Sequence, residues 1–372
     1  MPESNTAKND KTSNTVFQYG LFGLFRYYLA VMVCISHLMP WEYMHFGMYA
    51  VFAFFTLSGY LITLSYATHY SKQESGLAKF YLNRFIRVYP AFFLVFVISL
   101  CVAYFFPEEA VSANERFTIP SSKFEWFSNF ILVSLTYPNG FRAISTIVPT
   151  TWSLGIEITI WAFIPFFVLY KKFGMAWVAI SLLSFLYLAL PDNNSAMAFI
   201  MRYYSISVSS FCFCIGFILC FYVLKYKRLE IPQWLTRLTL VLYPLSYGLS
   251  FIFWTNSGNM ENWDHMGGQV YGGLYLFMII NTLTIIILAN SKRDSSKTLL
   301  NKIDEFLGDV SYPLFLCHIL CGSIVLIFYS EIGQARTIPY AIITFTISNI
   351  MAVLMVVFLE NNIKKIRNLI RR

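Results

Sequence analysis

The chain has 372 residues, of which 57% are hydrophobic and only 12% are charged, and its formal net charge is +8. Soluble globular proteins carry about twice that charged fraction, and the mean hydropathy of this chain is +0.59. Apolar runs of about 20 residues, the length that a helix needs to cross a bilayer, recur along it. This composition excludes a soluble globular protein and predicts a polytopic membrane protein.

Taken in chain order, the apolar runs predict an all-α transmembrane bundle of about ten spans. A polar tail, 1–20, comes first and is predicted to be disordered. The membrane domain is predicted over 21–360 and a basic cytoplasmic tail over 361–372. Another apolar segment, 124–135, is too short to span and is predicted to be interfacial or re-entrant. The predicted spans cover 21–39, 48–66, 88–106, 152–170, 174–190, 203–224, 238–254, 269–290, 310–329 and 338–359.

The basic residues are distributed unevenly between the two sides of these spans. With a cytoplasmic N-terminus, 21 of the 27 Lys and Arg fall in cytoplasmic segments and five in outer loops, and the remaining one is Arg26 in the first span. This is the positive-inside pattern, so both termini are predicted to be cytoplasmic. The positive charge therefore reports orientation in the membrane, and no nucleic-acid partner is predicted.

The first span carries two ionisable residues, Arg26 and His37. Eleven residues at about 100° each complete three turns plus roughly 20°, so both side chains lie on one helical face, about 16 Å apart along the axis. Ionisable residues inside a membrane are functional candidates by default. His37 is a candidate general base and Arg26 a candidate anion ligand. Alternatively both are interfacial residues, with Arg26 snorkelling to the inner headgroups.

Two motifs lie near the cytoplasmic start of the third span. Arg84 and Arg87 in FYLNRFIRVYP are neighbours on one helix face, are followed by Tyr89, and can bind phosphates bidentately. Positive-inside topology explains the same arginines. In the preceding span, Ser58 and Gly59 are small residues that favour close helix packing. A glycine there also leaves room for a thin ligand beside the backbone.

Two further spans carry polar residues at membrane depth. Glu157 in TTWSLGIEITIW needs a partner or a proton. Because it is predicted in the outer half with His37, it can orient that imidazole; a structural hydrogen bond is the alternative. His318 in FLGDVSYPLFLCHIL lies mid-span, where a lone histidine is more often a packed core residue. All seven cysteines fall inside predicted spans without metal-ligand spacing, so no metal site is predicted.

Five motifs occur in one order along the chain: Arg26-x10-His37, SGY at 58–60, RxxR at 84–87, TWSLxxE at 151–157 and LGDVSYPLFLCH at 307–318. Together they resemble the acyltransferase-3 family of membrane O-acyltransferases, over about residues 20–360. That family includes bacterial O-antigen and exopolysaccharide acetyltransferases. The resemblance implies a multi-pass protein of the bacterial inner membrane. We expect the membrane module alone, without the SGNH domain that some members carry at the C-terminus.

The resemblance also implies a reaction and a set of site residues. An acyl group, usually acetyl, would move from cytoplasmic acyl-CoA (acetyl-CoA) to a hydroxyl of a surface glycan or its lipid-linked precursor, such as O-antigen, lipopolysaccharide or exopolysaccharide. Acyl-CoA would be a co-substrate, with no metal. The implied roles are catalysis by His37, Glu157 and Arg26, CoA binding by Arg84, Arg87, Ser58, Gly59 and Tyr89, and acceptor binding by Thr151, Trp152, Ser153 and His318.

Two other classes of membrane protein remain open from the residues alone. A transporter of lipid-linked glycans or small anions would also need intramembrane Arg, His and Glu, although the halves show no internal repeat. A polytopic glycosyltransferase would use an acidic base in an outer loop. CoA binding distinguishes the acyltransferase from both.

Overall fold

The computed structural model describes residues 21–40, 43–132, 145–188, 201, 203–225, 231–256, 267–291, 299–329 and 334–371. The predicted disordered tail, 1–20, lies outside the described residues, as does the end of the short apolar segment 124–135.

The described residues form α-helices joined by loops, with one isolated bridge between Ile231 and Ser291. Two π-helical turns, Tyr66–Tyr70 and Val356–Glu360, extend α2 and α12. The helices are α1 (Phe22–Leu38), α2 (Met44–Ser65), α3 (Gly76–Phe105), α4 (Pro107–Ala113), α5 (Lys123–Ile131), α6 (Thr151–Leu169), α7 (Lys171–Tyr187), α8 (Ile206–Lys225), α9 (Gln233–Asn256), α10 (Gly267–Asn290), α11 (Leu299–Phe328), α12 (Ile338–Met355) and α13 (Asn361–Arg371).

Each predicted span coincides with a helix, which confirms the all-α bundle. Within the described ranges, eight helices are long and apolar enough to cross a membrane. The other two that match predicted spans, α1 and α7, have 17 residues each, at the lower limit for a span. The short apolar segment forms α5, whose nine residues are too few to cross a bilayer.

Two helices begin about a dozen residues before the predicted spans. α3 starts at Gly76 and α11 at Leu299, so each has a polar first third followed by an apolar remainder. Polar residues of these first thirds face neighbouring helices, as shown by the buried Asn83 and Asp304. Arg84 and Arg87 therefore stand on a rigid helix rather than in a loop.

The centre of the bundle is formed by α1, α2 and α11. The spanning windows of α2 and α11 are the most deeply buried, at 83% and 72%, and α1 packs against both helices. Glycines permit two of the closest approaches. A Cβ at Gly23 would lie 1.8 Å from the Asp304 carbonyl oxygen, and one at Gly59 would lie 2.2 Å from the Phe213 carbonyl oxygen. These contacts fix the register of α1 against α11 and of α2 against α8.

The outer helices expose apolar surface. The spanning window of α3 has a mean hydropathy of 2.3, yet only 33% of it is buried inside the protein. Exposed side chains on other helices are equally apolar, as at Phe163, Leu183 and Leu249. Water would make such a surface unstable, whereas lipid tails accommodate it. The chain is therefore an integral multi-pass membrane protein, as predicted.

Candidate active site

Helix α1 holds the first two candidates, and both of its ends are capped by charged groups from elsewhere in the chain. The backbone N–H of Leu24 donates to Asp304 Oδ1 at 2.7 Å. At the other end, Arg336 Nη1 donates to the carbonyl oxygens of Ser36 and Met39, at 3.2 and 3.3 Å. An acid at the N-terminus and a base at the C-terminus both complement the helix dipole. The two caps fix the position of α1 along its axis.

His37, near the C-terminal end of α1, is paired with His318 of α11. His37 Nδ1 and His318 Nε2 are 2.9 Å apart. The two rings meet edge to edge and are nearly coplanar, with centroids 5.1 Å apart and planes 14° from parallel. His318 is fully buried, and its Nδ1 lies 3.2 Å from the carbonyl oxygen of Leu314, one turn earlier in α11. The His37 ring is thus held in a defined orientation by a second histidine.

A pocket with a volume of about 70 Å³ opens at this end of the bundle. It is formed by the end of α1, the start of α2, the start of α6 and the turn before α12. On the predicted topology this is the outer side. The residues that line it are Val33, Ser36, His37, Met44, Gly47, Met48, Val51, Thr150, Trp152, Ser153, Tyr203, Tyr204, Phe315 and Arg336.

Aromatic side chains form one wall of the pocket. Trp152 packs against Tyr203 and Tyr204, with ring centroids 4.8 and 4.5 Å away. Of the predicted acceptor residues, Trp152 and Ser153 line the pocket, while Thr151 is buried beside it and donates its hydroxyl to the Val148 carbonyl oxygen. Polar and aromatic groups converging on one concave space are typical of a small-molecule or saccharide site.

Arg26 lies at the opposite end of α1. Its Nε donates to the Phe22 carbonyl oxygen at 3.4 Å, and its charge interacts with those of Asp304 and Asp309 on α11 and with Glu157. Gly308 makes room for it, since a Cβ there would lie 2.9 Å from Arg26 Nη2. Arg26 therefore belongs to a charged inner region and not to the pocket.

Arg84 and Arg87 join Arg26 in this inner region, together with Arg367 of α13. Arg26, Arg84 and Arg367 each interact electrostatically with Arg87. Arg84 lies over the Phe80 ring, with its Cζ 5.6 Å from the centroid. In the part of the chain that the structure describes, neither Arg84 nor Arg87 has an ion-pair partner within 4 Å. Guanidinium groups gathered in this way can bind a polyanion such as a phosphate ester.

Glu157 has a different partner from the one predicted. Its Oε1 accepts a hydrogen bond from the Ser58 hydroxyl at 3.0 Å, and its charge acts on Arg26 and Arg84. The residue that orients His37 is instead His318. Glu157 is partly buried. Its negative charge therefore compensates the arginines of the inner region.

The remaining candidates, Gly59 and Tyr89, contact neighbouring helices. Gly59 faces the backbone of α8 at Phe213, which is the packing alternative for this glycine. Tyr89 stacks on Phe85, and its hydroxyl lies 3.5 Å from the Ile131 carbonyl oxygen of α5. Tyr89 also interacts with Tyr312, which itself interacts with Arg87. Tyr89 thus borders the inner region, but its described hydroxyl contact is with α5 and not with the arginines.

Arg336 is a pocket residue that the sequence motifs do not identify. It lies outside the spans, in the turn before α12, with φ of 63°. Burial lowers the pKa of Arg336 to about 10, so the guanidinium is charged at neutral pH. One sequence signal pointed to it: only five of the 27 Lys and Arg occur in predicted outer loops, where positive charge is disfavoured.

Within the described residues, no group of three or more His, Cys, Asp or Glu is arranged to hold a metal ion. Six of the seven cysteines are buried in the bundle, and all seven are free thiols. The described residues thus form a histidine pair at an open pocket and an arginine cluster at the other end of α1. Along the helix axis, His37 of the pair and Arg26 of the cluster are about 16 Å apart.

Comparisons with known proteins find similarity to acyltransferases. A family model described as "Acyltransferase domain" matches residues 20–359. The peptidoglycan O-acetyltransferase OatA of Listeria monocytogenes is 27% identical over 308 residues, which are 78% of this chain and 47% of that protein. The O-acetyltransferase OatA of Staphylococcus aureus is 25% identical over 365 residues, which are 93% of this chain and 57% of that protein. The chain thus spans about half the length of these relatives. No solved structure matches it.

Proposed function

The chain belongs to the acyltransferase domain family, as the five ordered motifs predict, and from that premise we propose that it is a membrane O-acetyltransferase. It transfers an acetyl group from cytoplasmic acetyl-CoA to a hydroxyl of a glycan of the bacterial cell envelope. His37 is the general base. The chemistry takes place at the base of the outer pocket, while the donor is held from the inner side.

The observation that carries this proposal is the position of His37. Its ring borders a pocket that opens on the predicted outer side, and it is held by His318 from behind. A general base needs an imidazole within reach of a substrate hydroxyl and a fixed orientation toward it. The place of His37 at the pocket and its contact with His318 support this role.

The donor side is supported by the arginine cluster. CoA carries several phosphate groups at one end and the thioester at the end of a thin pantetheine arm. Arg84, Arg87 and Arg367 bind the phosphates in this proposal, and Arg26, which interacts with Arg87, lies beside them. The arm extends along α1 for about 16 Å, past the Ser58–Glu157 hydrogen bond, to bring the thioester to His37.

The acceptor side is supported by the composition of the pocket. Trp152, Tyr203 and Tyr204 supply aromatic faces on which a sugar ring can stack, and Ser36 and Ser153 supply hydroxyl groups. The similar Listeria protein is named for peptidoglycan. We therefore place peptidoglycan or its lipid-linked precursor first among the acceptors, ahead of O-antigen, lipopolysaccharide and exopolysaccharide.

In the proposed reaction, His37 Nε2 takes the proton of the acceptor hydroxyl as its oxygen attacks the thioester carbonyl. The carbon–sulfur bond then breaks, and the protonated His37 returns the proton to the departing thiolate. The products are the acetyl ester of the glycan and free CoA. The positive charge of Arg336 lies at the pocket and can stabilise the negative charge that develops on the carbonyl oxygen.

The test follows a labelled acetyl group in washed membranes that carry the wild type, His37→Ala or His69→Ala. His69 is an exposed histidine on the other side of the bundle and serves as the control. We expect label in a glycan fraction with the wild type and with His69→Ala. With His37→Ala we expect a loss of about 10²- to 10⁴-fold. Separating peptidoglycan, lipid-linked saccharide and other polysaccharide identifies the acceptor.

A measurement of CoA binding to the purified protein distinguishes the possible causes of a negative transfer result. Full transfer by His37→Ala would exclude this histidine as the base. If the folded wild type bound no CoA and transferred no label, the enzyme proposal would be abandoned in favour of a transporter. CoA binding that is unchanged in His37→Ala would show that the loss concerns chemistry alone.

A further inference from the structure

We propose that His318 is a positioning residue that sets the tautomer of His37. It holds the His37 proton on Nδ1 and thereby leaves the lone pair of His37 Nε2 directed at the pocket. This inference rests on the proposed role of His37 as general base, but the hydrogen-bond arrangement can be tested without measuring activity.

The direction of the hydrogen bonds follows from one acceptor. The carbonyl oxygen of Leu314 can only accept, so the His318 Nδ1 that lies 3.2 Å away carries a proton. In a neutral imidazole the second nitrogen then has a lone pair and no proton. His318 Nε2 must therefore accept, and its partner at 2.9 Å, His37 Nδ1, must donate. His37 Nε2 is then the unprotonated nitrogen.

The surroundings favour two neutral rings in the resting protein. His318 is fully buried, and no carboxylate among the described residues lies within 4 Å of either ring. Arg336, which lines the same pocket, already contributes a positive charge. A charged imidazole without a counter-ion would be costly in this position. Each ring therefore carries one proton, and the chain of donors runs from His37 to His318 to Leu314.

The packing explains why this series of hydrogen bonds is stable. The ring planes are only 14° from parallel, so the Nδ1–H of His37 points in the plane of both rings toward His318 Nε2. Phe315 packs against His318 in an edge orientation, with centroids 6.3 Å apart. α1 and α11 are held in register by the close contact at Gly23. A turn of either helix would break the hydrogen bond between the histidines.

This arrangement gives His318 a specific task during transfer. When His37 Nε2 takes the acceptor proton, the ring becomes positively charged, and the lone pair of His318 Nε2 stabilises that charge through the existing hydrogen bond. A carboxylate would do the same more strongly, but it would bury a negative charge in the resting bundle. A neutral histidine performs the orienting function without that cost, because the charge exists only during the reaction.

Two substitutions separate the hydrogen bond from the packing. His318→Gln retains an acceptor oxygen near the position of Nε2, whereas His318→Leu fills similar space without any acceptor. We expect His318→Leu to lower kcat about 100-fold, with KM for acetyl-CoA and for acceptor unchanged within about twofold, since partners that orient a reacting histidine contribute at this level. We expect His318→Gln to retain activity within about tenfold of the wild type.

The tautomer itself can be read by solid-state ¹⁵N NMR of histidine-labelled protein in lipid bilayers. The chain has five histidines, and the His37 signals are assigned by their loss in His37→Gln. We expect a bare Nε2 and a protonated Nδ1 for His37 in the wild type and in His318→Gln. In His318→Leu we expect a mixture of tautomers.

Three results would overturn the inference: the opposite His37 tautomer in the wild type, equal losses of kcat in His318→Gln and His318→Leu, or wild-type kcat in His318→Leu. The NMR measurement on the wild type decides the matter even where a variant does not fold. If the expected tautomer were found in a protein that transfers no acetyl group, the proposed function would fail while the hydrogen-bond assignment stood.

Discussion

The two ends of α1 are stabilised in different ways. At the pocket end, His37 is held by His318, and Arg336 caps the helix through two backbone carbonyls. At the inner end, Arg26 shares its surroundings with Arg84, Arg87 and Arg367, and acidic groups offset the like charges only in part. The pocket end is thus held by protein groups alone, whereas in our proposal the inner end is completed by an anion, the phosphates of the donor.

This difference matches the two tasks of the proposed enzyme. A base must already be oriented when the acceptor arrives, because disorder in the reacting group lowers the rate directly. A phosphate-binding site can retain some repulsion between its arginines, since the ligand relieves it on binding. Substitutions at the pocket end should therefore change kcat, and those at the inner end should change donor affinity.

Among substitutions that probe the two ends of α1, the largest effect is expected at Arg87, which interacts with three other arginines. Arg87→Gln should weaken CoA binding about 10- to 100-fold, because a hydrogen bond between charged groups contributes about 1.5–3 kcal/mol. Without CoA, the same variant should melt roughly 1–3 °C higher, since one of several like charges is removed. Binding is measured by calorimetry, and melting in detergent with and without CoA.

Arg237→Gln is the matched control, since Arg237 is exposed near the start of α9 on the same predicted side. It should leave both CoA affinity and melting temperature unchanged. A drop of several degrees in Arg87→Gln, with unchanged CoA affinity, would mean that Arg87 stabilises the fold and binds no donor.

The next effect concerns the middle of the bundle, between the two ends. A Cβ at Gly59 would meet the Phe213 carbonyl oxygen at 2.2 Å, and backbone cannot move aside as a side chain can. Gly59→Ala should therefore destabilise the protein by about 1–3 kcal/mol through the separation of α2 and α8. Denaturation in mixed micelles gives the free energy of unfolding.

Gly248→Ala provides the comparison, because nothing lies within 4 Å of a Cβ at that position in α9. There the substitution should be neutral or stabilise by about 0.5–1 kcal/mol, as alanine favours helix over glycine. If Gly59→Ala kept full stability but lost CoA affinity, Gly59 would instead border the path of the donor.

At the pocket end, Arg336→Gln should have a smaller but selective effect. The Ser36 and Met39 carbonyl oxygens would lose a charged donor, and the end of α1 that carries His37 would be less firmly held. We expect kcat to fall about tenfold, in line with the loss of about 1–1.5 kcal/mol, while CoA affinity stays constant. Lys123→Gln, at an exposed position on the same side, is the control. A loss of CoA affinity in Arg336→Gln would contradict the separation of the two ends.

The sequence predicts the helices well and the contacts between them poorly. Spans follow from runs of about 20 apolar residues, which is a local property, and all ten coincide with helices of the bundle. The partner of His37 lies 281 residues away on α11, and hydropathy does not determine which helices are neighbours. Glu157 was a candidate for that partner because both residues were assigned to the outer half of a span, and a structural hydrogen bond was the alternative. In the structure it instead bonds Ser58 of α2.

Contacts between helices also explain why α3 and α11 begin before the predicted spans. The first thirds of α3 and α11 are polar, so they carry no spanning signal, yet they continue the helix because polar residues such as Asn83 and Asp304 find partners on neighbouring helices. Asn83 Nδ2 donates to the Arg367 carbonyl oxygen, and Arg367 Nε donates to Asn83 Oδ1, both at 3.2 Å. The C-terminal residues, predicted as a basic tail, form α13 for this reason.

The smallest expected effect tests whether α13 contributes to the proposed donor site or only packs against it. Lys364 Nζ forms ion pairs with Asp309 and, at 3.2 Å, with Glu305, but both carboxylates and the ammonium are partly exposed. Exposed pairs contribute at most about 1 kcal/mol, so Lys364→Ala should barely change the melting temperature. Its effect on CoA affinity should be less than about threefold. By contrast, Arg367→Gln should weaken CoA binding about tenfold, because Arg367 belongs to the arginine cluster. Equal affinities in the two variants would place α13 outside the donor site.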